Sequence, residues 1–170
     1  MTIKTIFLDR DGVINKEVGY LSRVTDFKFI KGVFDACLYF QKLNYKIIII
    51  SNQSGIARGY FNENDYLKLT EWMLGQFNNN GIKILDTFYC PHDPKSHCEC
   101  RKPKPGMFLV AKKKYNIDMK NSWMIGDSES DIKAANAAGI SNTILVRSGH
   151  LIDESNSNSK FTIDSIKQSI

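Results

Sequence analysis

Hydrophobic positions alternate along the chain between short unbroken apolar runs and longer stretches where apolar residues recur every three or four positions. The unbroken runs predict strands at Thr5 to Leu8, Lys46 to Ile50, Thr87 to Cys90, Trp123 to Ile125 and Thr143 to Val146. Thr5-Ile6-Phe7-Leu8 has no polar alternation, the mark of a parallel-sheet strand covered on both faces. Helical spacing predicts helices over Val33 to Leu43, Asn62 to Phe77, Gly106 to Tyr115 and Asp131 to Ala138. Phe34, Leu38, Tyr39 and Phe40 share that spacing and belong to a packed face, and Asn78-Asn79-Asn80-Gly81 stops the second helix. Strands alternating with helix-length segments predict an α/β fold with a doubly wound, mostly parallel sheet. No internal repeat is present. Residues 1–170 are expected to form one domain, with 151–160, which contains Ser155-Asn156-Ser157-Asn158-Ser159, a mobile loop before a short terminal element.

A chain of 170 residues can bury one substantial core. Its 42% hydrophobic and 24% charged content is that of an ordinary globular protein. No apolar stretch approaches the ~18 residues of a membrane span, and the N-terminus lacks a signal-peptide pattern. A cytoplasmic location is therefore expected, with the four cysteines reduced. The net charge of +5 and pI near 9.0 suit an anionic partner, either a phosphorylated metabolite or nucleic acid. Lys112, Lys113 and Lys114 form the one dense basic run, which reads as a solvated helix face.

Parallel sheets bind ligands beyond the carboxyl ends of their strands, and there the polar residues of this chain gather. The first predicted strand ends in Asp9-Arg10-Asp11-Gly12. If extended geometry continues, Asp9 and Asp11 face one pocket while Arg10 points away. Paired carboxylates call for a divalent cation or for protonation of one member, and they supply a nucleophile and a general acid. A solvated Asp-x-Asp-Gly turn is the alternative. The second strand ends in Ser51-Asn52-Gln53-Ser54-Gly55, whose hydroxyl and N–H groups suit a phosphoryl group, with Arg58 and Gly59 framing it. The fourth ends in Gly126-Asp127, with Asp131 a helical turn on. These acids could complete an oxygen shell around Mg²⁺, or Asp127 or Ser128 could cap the next helix. In Arg101-Lys102-Pro103-Lys104-Pro105 the prolines predict an extended backbone presenting two cations. Lysine is a point charge for a transferring phosphoryl group, and arginine grips a second phosphate with two parallel hydrogen bonds.

Cys90-Pro91-His92 and Cys98-Glu99-Cys100 supply three thiolates and an imidazole, the donor set of a closed structural zinc site, with His97 a competing ligand. Cys37 lies on an apolar helix face and reads as core. A zinc-stabilised nucleic-acid module would also suit the basic pI, but the chain lacks the spacing and basic-aromatic interleaving of such a module.

Asp9-x-Asp11-Gly12, Ser51, Lys102 before Pro103, and Gly126-Asp127 with Asp131 resemble, in order, the four motifs of the haloacid dehalogenase (HAD) superfamily of phosphohydrolases. The resemblance covers about residues 3 to 147. Within it, Asn15 to Tyr20, Asp26-Phe27-x-Phe29-Ile30-x-Gly32-Val33, Asn52 to Gly59 and Cys100 to Met107 resemble the heptose bisphosphate and histidinol-phosphate phosphatase family. Two features depart from the better-known heptose enzymes. Five residues separate His92 from Cys98, a shorter loop closer to the histidinol-phosphate type, and Ser128 stands where a substrate-touching lysine is common.

The resemblance implies a HAD-like Rossmannoid fold with a small zinc loop, and the short linkers after the first two strands leave no room for a large cap domain. It implies hydrolysis of the C7 phosphate of heptose 1,7-bisphosphate, in making nucleotide-activated heptose for lipopolysaccharide or surface polysaccharide. Asp9 would be the nucleophile and Asp11 the general acid and base, with Ser51 and Lys102 stabilising charge. Glu17, Val18, Gly19, Tyr20, Asn52, Gln53, Ser54, Arg58, Arg101 and Ser128 would bind substrate. Mg²⁺ would be held by Asp9, Asp11 through its main chain and Asp127, supported by Asp131, and Zn²⁺ by Cys90, His92, Cys98 and Cys100. A small phosphorylated sugar is the expected partner of a monomer that binds neither nucleic acid nor membrane. Histidinol phosphate is the alternative substrate. A non-enzymatic phospho-acceptor domain is the alternative class, but there the phosphorylated aspartate follows a middle strand.

Overall fold

The computed structural model describes residues 1–170. Six parallel strands, β1 (Thr5–Leu8), β2 (Lys46–Asn52), β3 (Ile84–Cys90), β4 (Trp123–Gly126), β5 (Asn142–Val146) and β6 (Phe161–Ile163), form one sheet in the order β3-β2-β1-β4-β5-β6. Four helices, α1 (Val33–Lys42), α2 (Glu63–Asn79), α3 (Gly106–Tyr115) and α4 (Glu129–Ala137), connect them.

Alternation within the apolar strands divides the core between the two faces of the sheet. Ile6, Leu8, Ile47, Ile49 and Ile125 pack with residues of α1 and α2, including Val33, Cys37, Phe40, Leu69 and Phe77. Phe7, Ile48, Ile50 and Met124 pack with Met107, Phe108 and Ala111 of α3 and with Ala134 and Ala135 of α4. Strands feeding both layers must be apolar at every position, which is why β2 reads as an isoleucine run. Burial pushes the Cys37 thiol up to about 12, the behaviour of a core side chain.

The central pair β1 and β4 lies where the strand order reverses, the crevice in which doubly wound sheets bind ligands. Asn62 and Asp65 form a reciprocal capping box that starts α2, and Gly81, at φ +73°, takes the left-handed turn after its end. From Gln53 to Asn62 the chain passes directly from β2 into α2, leaving no room for a large cap domain. The terminal element adds β6 beside β5 and a short 3-10 helix at Ile166–Ser169. Within 151–160, Ser157 Oγ donates to Glu129 Oε2 at 2.8 Å and the Lys160 amide to Thr143 O at 3.1 Å. No helix is long and apolar enough to cross a membrane.

Candidate active site

Strand geometry ends at Leu8, and this reverses one expectation about the first motif. The Asp9 amide still bonds to Ile125 O at 3.0 Å, but the chain then curls, with Arg10 O accepting from the amides of Val13, Ile14 and Asn15. Arg10 therefore does not point away. Its buried guanidinium lines the same cavity as Asp9 and Asp11 and pairs with Asp11 Oδ2 at 2.9 Å. Asn15 Nδ2 and Gln53 Nε2 each donate to Asp11 at 3.0 Å. Burial alone would raise the Asp11 carboxyl, but the Arg10 charge and these hydrogen bonds outweigh it and hold Asp11 below its ordinary value.

Asp9 has the opposite environment. Lys102 Nζ lies 2.8 Å from Asp9 Oδ1 and 2.6 Å from Asp131 Oδ1, and it also donates to Ile50 O at 2.9 Å. Burial holds Asp9 well above its ordinary value; Lys102 opposes the shift, while Asp131, Asp127 and Asp11 add to it. Burial and then Asp131 also raise Asp127. Oxygen atoms of Asp9, Asp127 and Asp131 lie within 4.8 Å of one another. Three acids so close, two held above their ordinary values, leave negative charge that a single lysine does not neutralise. They are hard oxygen donors, and the set fits Mg²⁺. Asp131 is more committed than the others: Oδ1 faces Lys102, and Oδ2 accepts from the Ser128 amide at 3.1 Å and hydroxyl at 3.0 Å. Ser128 is thereby the N-cap of α4.

These groups line a cavity of about 440 Å³ at the carboxyl ends of β1, β2 and β4, joined by Glu17, Gly19, Tyr20, Asn52, Gln53, Ser54, Arg101 and Ser128. Ser51 is buried beneath it, its hydroxyl accepting from Gln53 Nε2 at 2.5 Å. Val18 and Arg58, expected against substrate, do not line the cavity. Val18 faces a neighbouring groove along residues 16–28, and Arg58 turns to Asp93 at 3.5 Å with its guanidinium over the Tyr20 ring. The 101–105 segment is not extended. Lys104 N bonds to Arg101 O at 2.9 Å, closing a turn, while Asn52 brackets Lys102 by accepting from its amide and donating to its carbonyl, both at 3.1 Å. One amine of Arg101, Nη1, is buried without a partner.

Sequence reasoning missed His150 and Ser130, which also line the cavity. Ser130 Oγ lies 2.7 Å from Ser128 Oγ. His150 follows β5, so the rule that ligand sites sit beyond strand ends would have found it.

In the cysteine-rich loop, Cys90 Sγ lies 3.0 Å from Cys100 Sγ and 3.7 Å from Cys98 Sγ, and His92 Nδ1 is 3.4 Å and 3.2 Å from Cys90 and Cys100 Sγ. Tetrahedral zinc with Zn–S bonds of about 2.3 Å separates its sulfurs by roughly 3.8 Å, so the donors are gathered at the right scale. Burial and the adjacent Cys100 thiol push Cys90 up to about 12, as expected of clustered thiols that need a cation to ionise together. His97 is not part of the cluster.

A profile of the HAD-hydrolase-like family matches residues 99–169. That match, the parallel sheet and the acid-lysine cluster agree with a HAD-like hydrolase, and the full-length relatives make the class that of phosphomonoester hydrolases. The chain is 48% identical over 161 residues to D-glycero-beta-D-manno-heptose-1,7-bisphosphate 7-phosphatase of Vibrio cholerae, covering 91% of this chain and 87% of that one. It is 50% identical over 146 residues to the alpha-anomer enzyme of Campylobacter jejuni, covering 86% and 84%. The crystal structure of the D,D-heptose 1,7-bisphosphate phosphatase from B. bronchiseptica, complexed with magnesium and phosphate, superimposes with a TM-score of 0.84 at 28% identity, covering 97% and 94%. The chain belongs to the heptose-1,7-bisphosphate 7-phosphatase family.

Proposed function

We propose that this protein removes the C7 phosphate of D-glycero-D-manno-heptose 1,7-bisphosphate. The observation that carries the chemistry is Lys102 bridging Asp9 and Asp131 beside Asp127 at the floor of a polar cavity. The similarity to heptose enzymes favours this substrate over histidinol phosphate.

Asp9, the main chain of Asp11 and Asp127 would hold Mg²⁺, with Asp131 keeping Lys102 and the α4 start in place. A bound cation would supply positive charge to the phosphoryl oxygens and relieve the crowding of carboxylates. Asp9 attacks phosphorus as the bond to the sugar oxygen breaks, giving an aspartyl-phosphate. Asp11 must leave its contacts with Arg10, Asn15 and Gln53, which hold it ionised, take up a proton from solvent, and pass that proton to the leaving oxygen. It then takes a proton from the water that cleaves the intermediate. Lys102 neutralises equatorial charge, and Ser51 supports it through Gln53 and its own hydroxyl. Arg101, whose side chain lines the cavity, and the Glu17 to Tyr20 loop hold the remainder of the substrate. The zinc loop carries a structural Zn²⁺ at Cys90, His92, Cys98 and Cys100.

The test is release of inorganic phosphate by purified protein with Mg²⁺ over many cycles. Asp9→Asn should lower kcat by at least ~10³-fold while the protein stays folded. A stoichiometric phosphoprotein without turnover would overturn the enzyme reading.

A further inference from the structure

Asp127 is held from outside the acid cluster by the segment that follows β5. The His150 amide donates to Asp127 Oδ2 at 3.0 Å, and the His150 ring Nδ1 lies 2.6 Å from the same oxygen. Gly149 packs so closely on this carboxylate that a Cβ there would collide with it. The preceding Ser148 donates its hydroxyl to Gly12 O at 2.6 Å, tying the same segment to the turn after Asp11. Gly12, at φ +85°, packs against the same oxygen beside Gly149, and a side chain there would also strike the carboxylate. Arg147 fixes the base of the segment through Glu154 and Asp164 at 2.6 and 2.7 Å. Asp127 is thus clamped through Oδ2 by two donors, while its ring partner is largely solvent-facing.

We propose that His150 is a positioning residue that holds the Asp127 carboxylate in the orientation a divalent cation needs. The proposal rests on the cation reading given above. The Nδ1–H bond is available to the neutral imidazole as well as the charged one, so protonation of the ring is not required. With Oδ2 occupied by His150, the other oxygen of Asp127 is left for the metal, and the carboxylate need not be ordered when the ion arrives. Partners that orient a metal ligand in this way typically carry 10–100-fold of the metal affinity.

The experiment is Mg²⁺ titration of the full chain by calorimetry, alongside the Mg²⁺-dependent rise in melting temperature. Wild type, Asp127→Asn, His150→Ala and His150→Asn are compared, the last because its side-chain amide can reach the place of Nδ1. His150→Ala should weaken Mg²⁺ binding by about 10-fold or more and raise the Mg²⁺ concentration for half-maximal turnover equally. At saturating Mg²⁺ its kcat should largely recover, and His150→Asn should restore most of the affinity. Unchanged Mg²⁺ binding in His150→Ala, where Asp127→Asn does lose it, overturns the inference and leaves the cation site standing. Equal binding by wild type and Asp127→Asn overturns the cation site and the inference with it.

Discussion

The Lys102 ammonium lies 2.8 Å from the Asp9 carboxylate, although the two residues are 93 positions apart in the chain. Both side chains are buried, and the same ammonium meets Asp131. Two carboxylates therefore depend on one cation for compensation inside the protein, a geometry in which removing one member costs far more than the pair contributes. Burial opposes the Lys102 charge, but Asp131 and then Asp9 outweigh it and raise its pKa, so the lysine stays charged. Lys102→Met should therefore destabilise the protein by about 3–5 kcal/mol and lower kcat by at least ~10²-fold. Urea denaturation and phosphate release measure the two effects separately. A Lys102→Met protein as stable as wild type would contradict the ion-pair account.

The cysteine-rich loop reaches the active site by a short covalent path, since Cys100 is followed by Arg101 and Lys102. Gly106 N bonds to Glu99 O at 3.2 Å, bracing the segment between them, and Asn52 brackets the Lys102 main chain. Elemental analysis of protein purified without chelator should find about one zinc per chain. Stripping the metal, or Cys98→Ser, should lower both the melting temperature and kcat, because loss of the loop frees the backbone that carries Lys102 and Arg101. Metal-free protein with an unchanged melting temperature would exclude a structural zinc.

What could be read from the sequence follows from how local each signal is. The β1 and β2 runs and the Gly106–Tyr115 helix are recognisable because their apolar pattern is continuous. β3 begins three residues before its predicted start, at Ile84, because Asp86 interrupts the apolar run and the register with β2 shifts between Ile47 and Ile48. β6 has only three residues, and its order comes from tertiary contacts such as Phe161 stacking on Trp123 at 6.1 Å, which no local pattern encodes. Asp9 and Asp127 were legible as strand-end residues, and Lys102 from the proline-flanked basic segment ahead of α3. The direction of Arg10 was not, since it depends on where the chain leaves the strand. His150 was missed because a lone histidine after β5 carries no motif of its own.

Asp86 gives a pH dependence away from the active site. Partial burial raises its carboxyl, but Lys114, Tyr115 and the Thr87 amide outweigh this and hold it below the ordinary value. A carboxylate with a depressed folded-state pKa stabilises the protein above its unfolded pKa, and that contribution fades as pH falls through the folded value. After discounting for solvent screening at a partly exposed site, the effect is about 0.5 kcal/mol. Asp86→Asn should therefore be less stable than wild type at pH 7, and the gap should close in strongly acidic solution. Urea midpoints of both proteins at the two pH values test this, and a gap that widens on acidification would show the sign to be wrong.

Substrate preference is the sharpest test of the distal half of the cavity. Heptose 1,7-bisphosphate presents a second phosphate, whereas histidinol phosphate presents an amine and an imidazole. Arg101 lines the cavity, and one nitrogen of its guanidinium, Nη1, is buried without a partner in the protein, so this cation is the group placed to meet a second phosphate. The acids of the cavity floor are either paired with Lys102 and Arg10 or drawn into the cation cluster, which leaves Glu17 as the carboxylate placed to meet an ammonium group. A site built in this way should lose heavily when the second phosphate is missing. The expected ratio of kcat/KM for heptose bisphosphate over histidinol phosphate is at least ~100-fold, the scale seen when a polar site loses its hydrogen-bonding partner. Arg101→Ala should erode most of that ratio by slowing the bisphosphate reaction while leaving histidinol phosphate nearly unaffected. Assaying both heptose anomers and histidinol phosphate side by side with wild type and Arg101→Ala decides the matter. A wild-type preference for histidinol phosphate would overturn the substrate assignment, and a preference that survives Arg101→Ala would place the second phosphate elsewhere in the cavity.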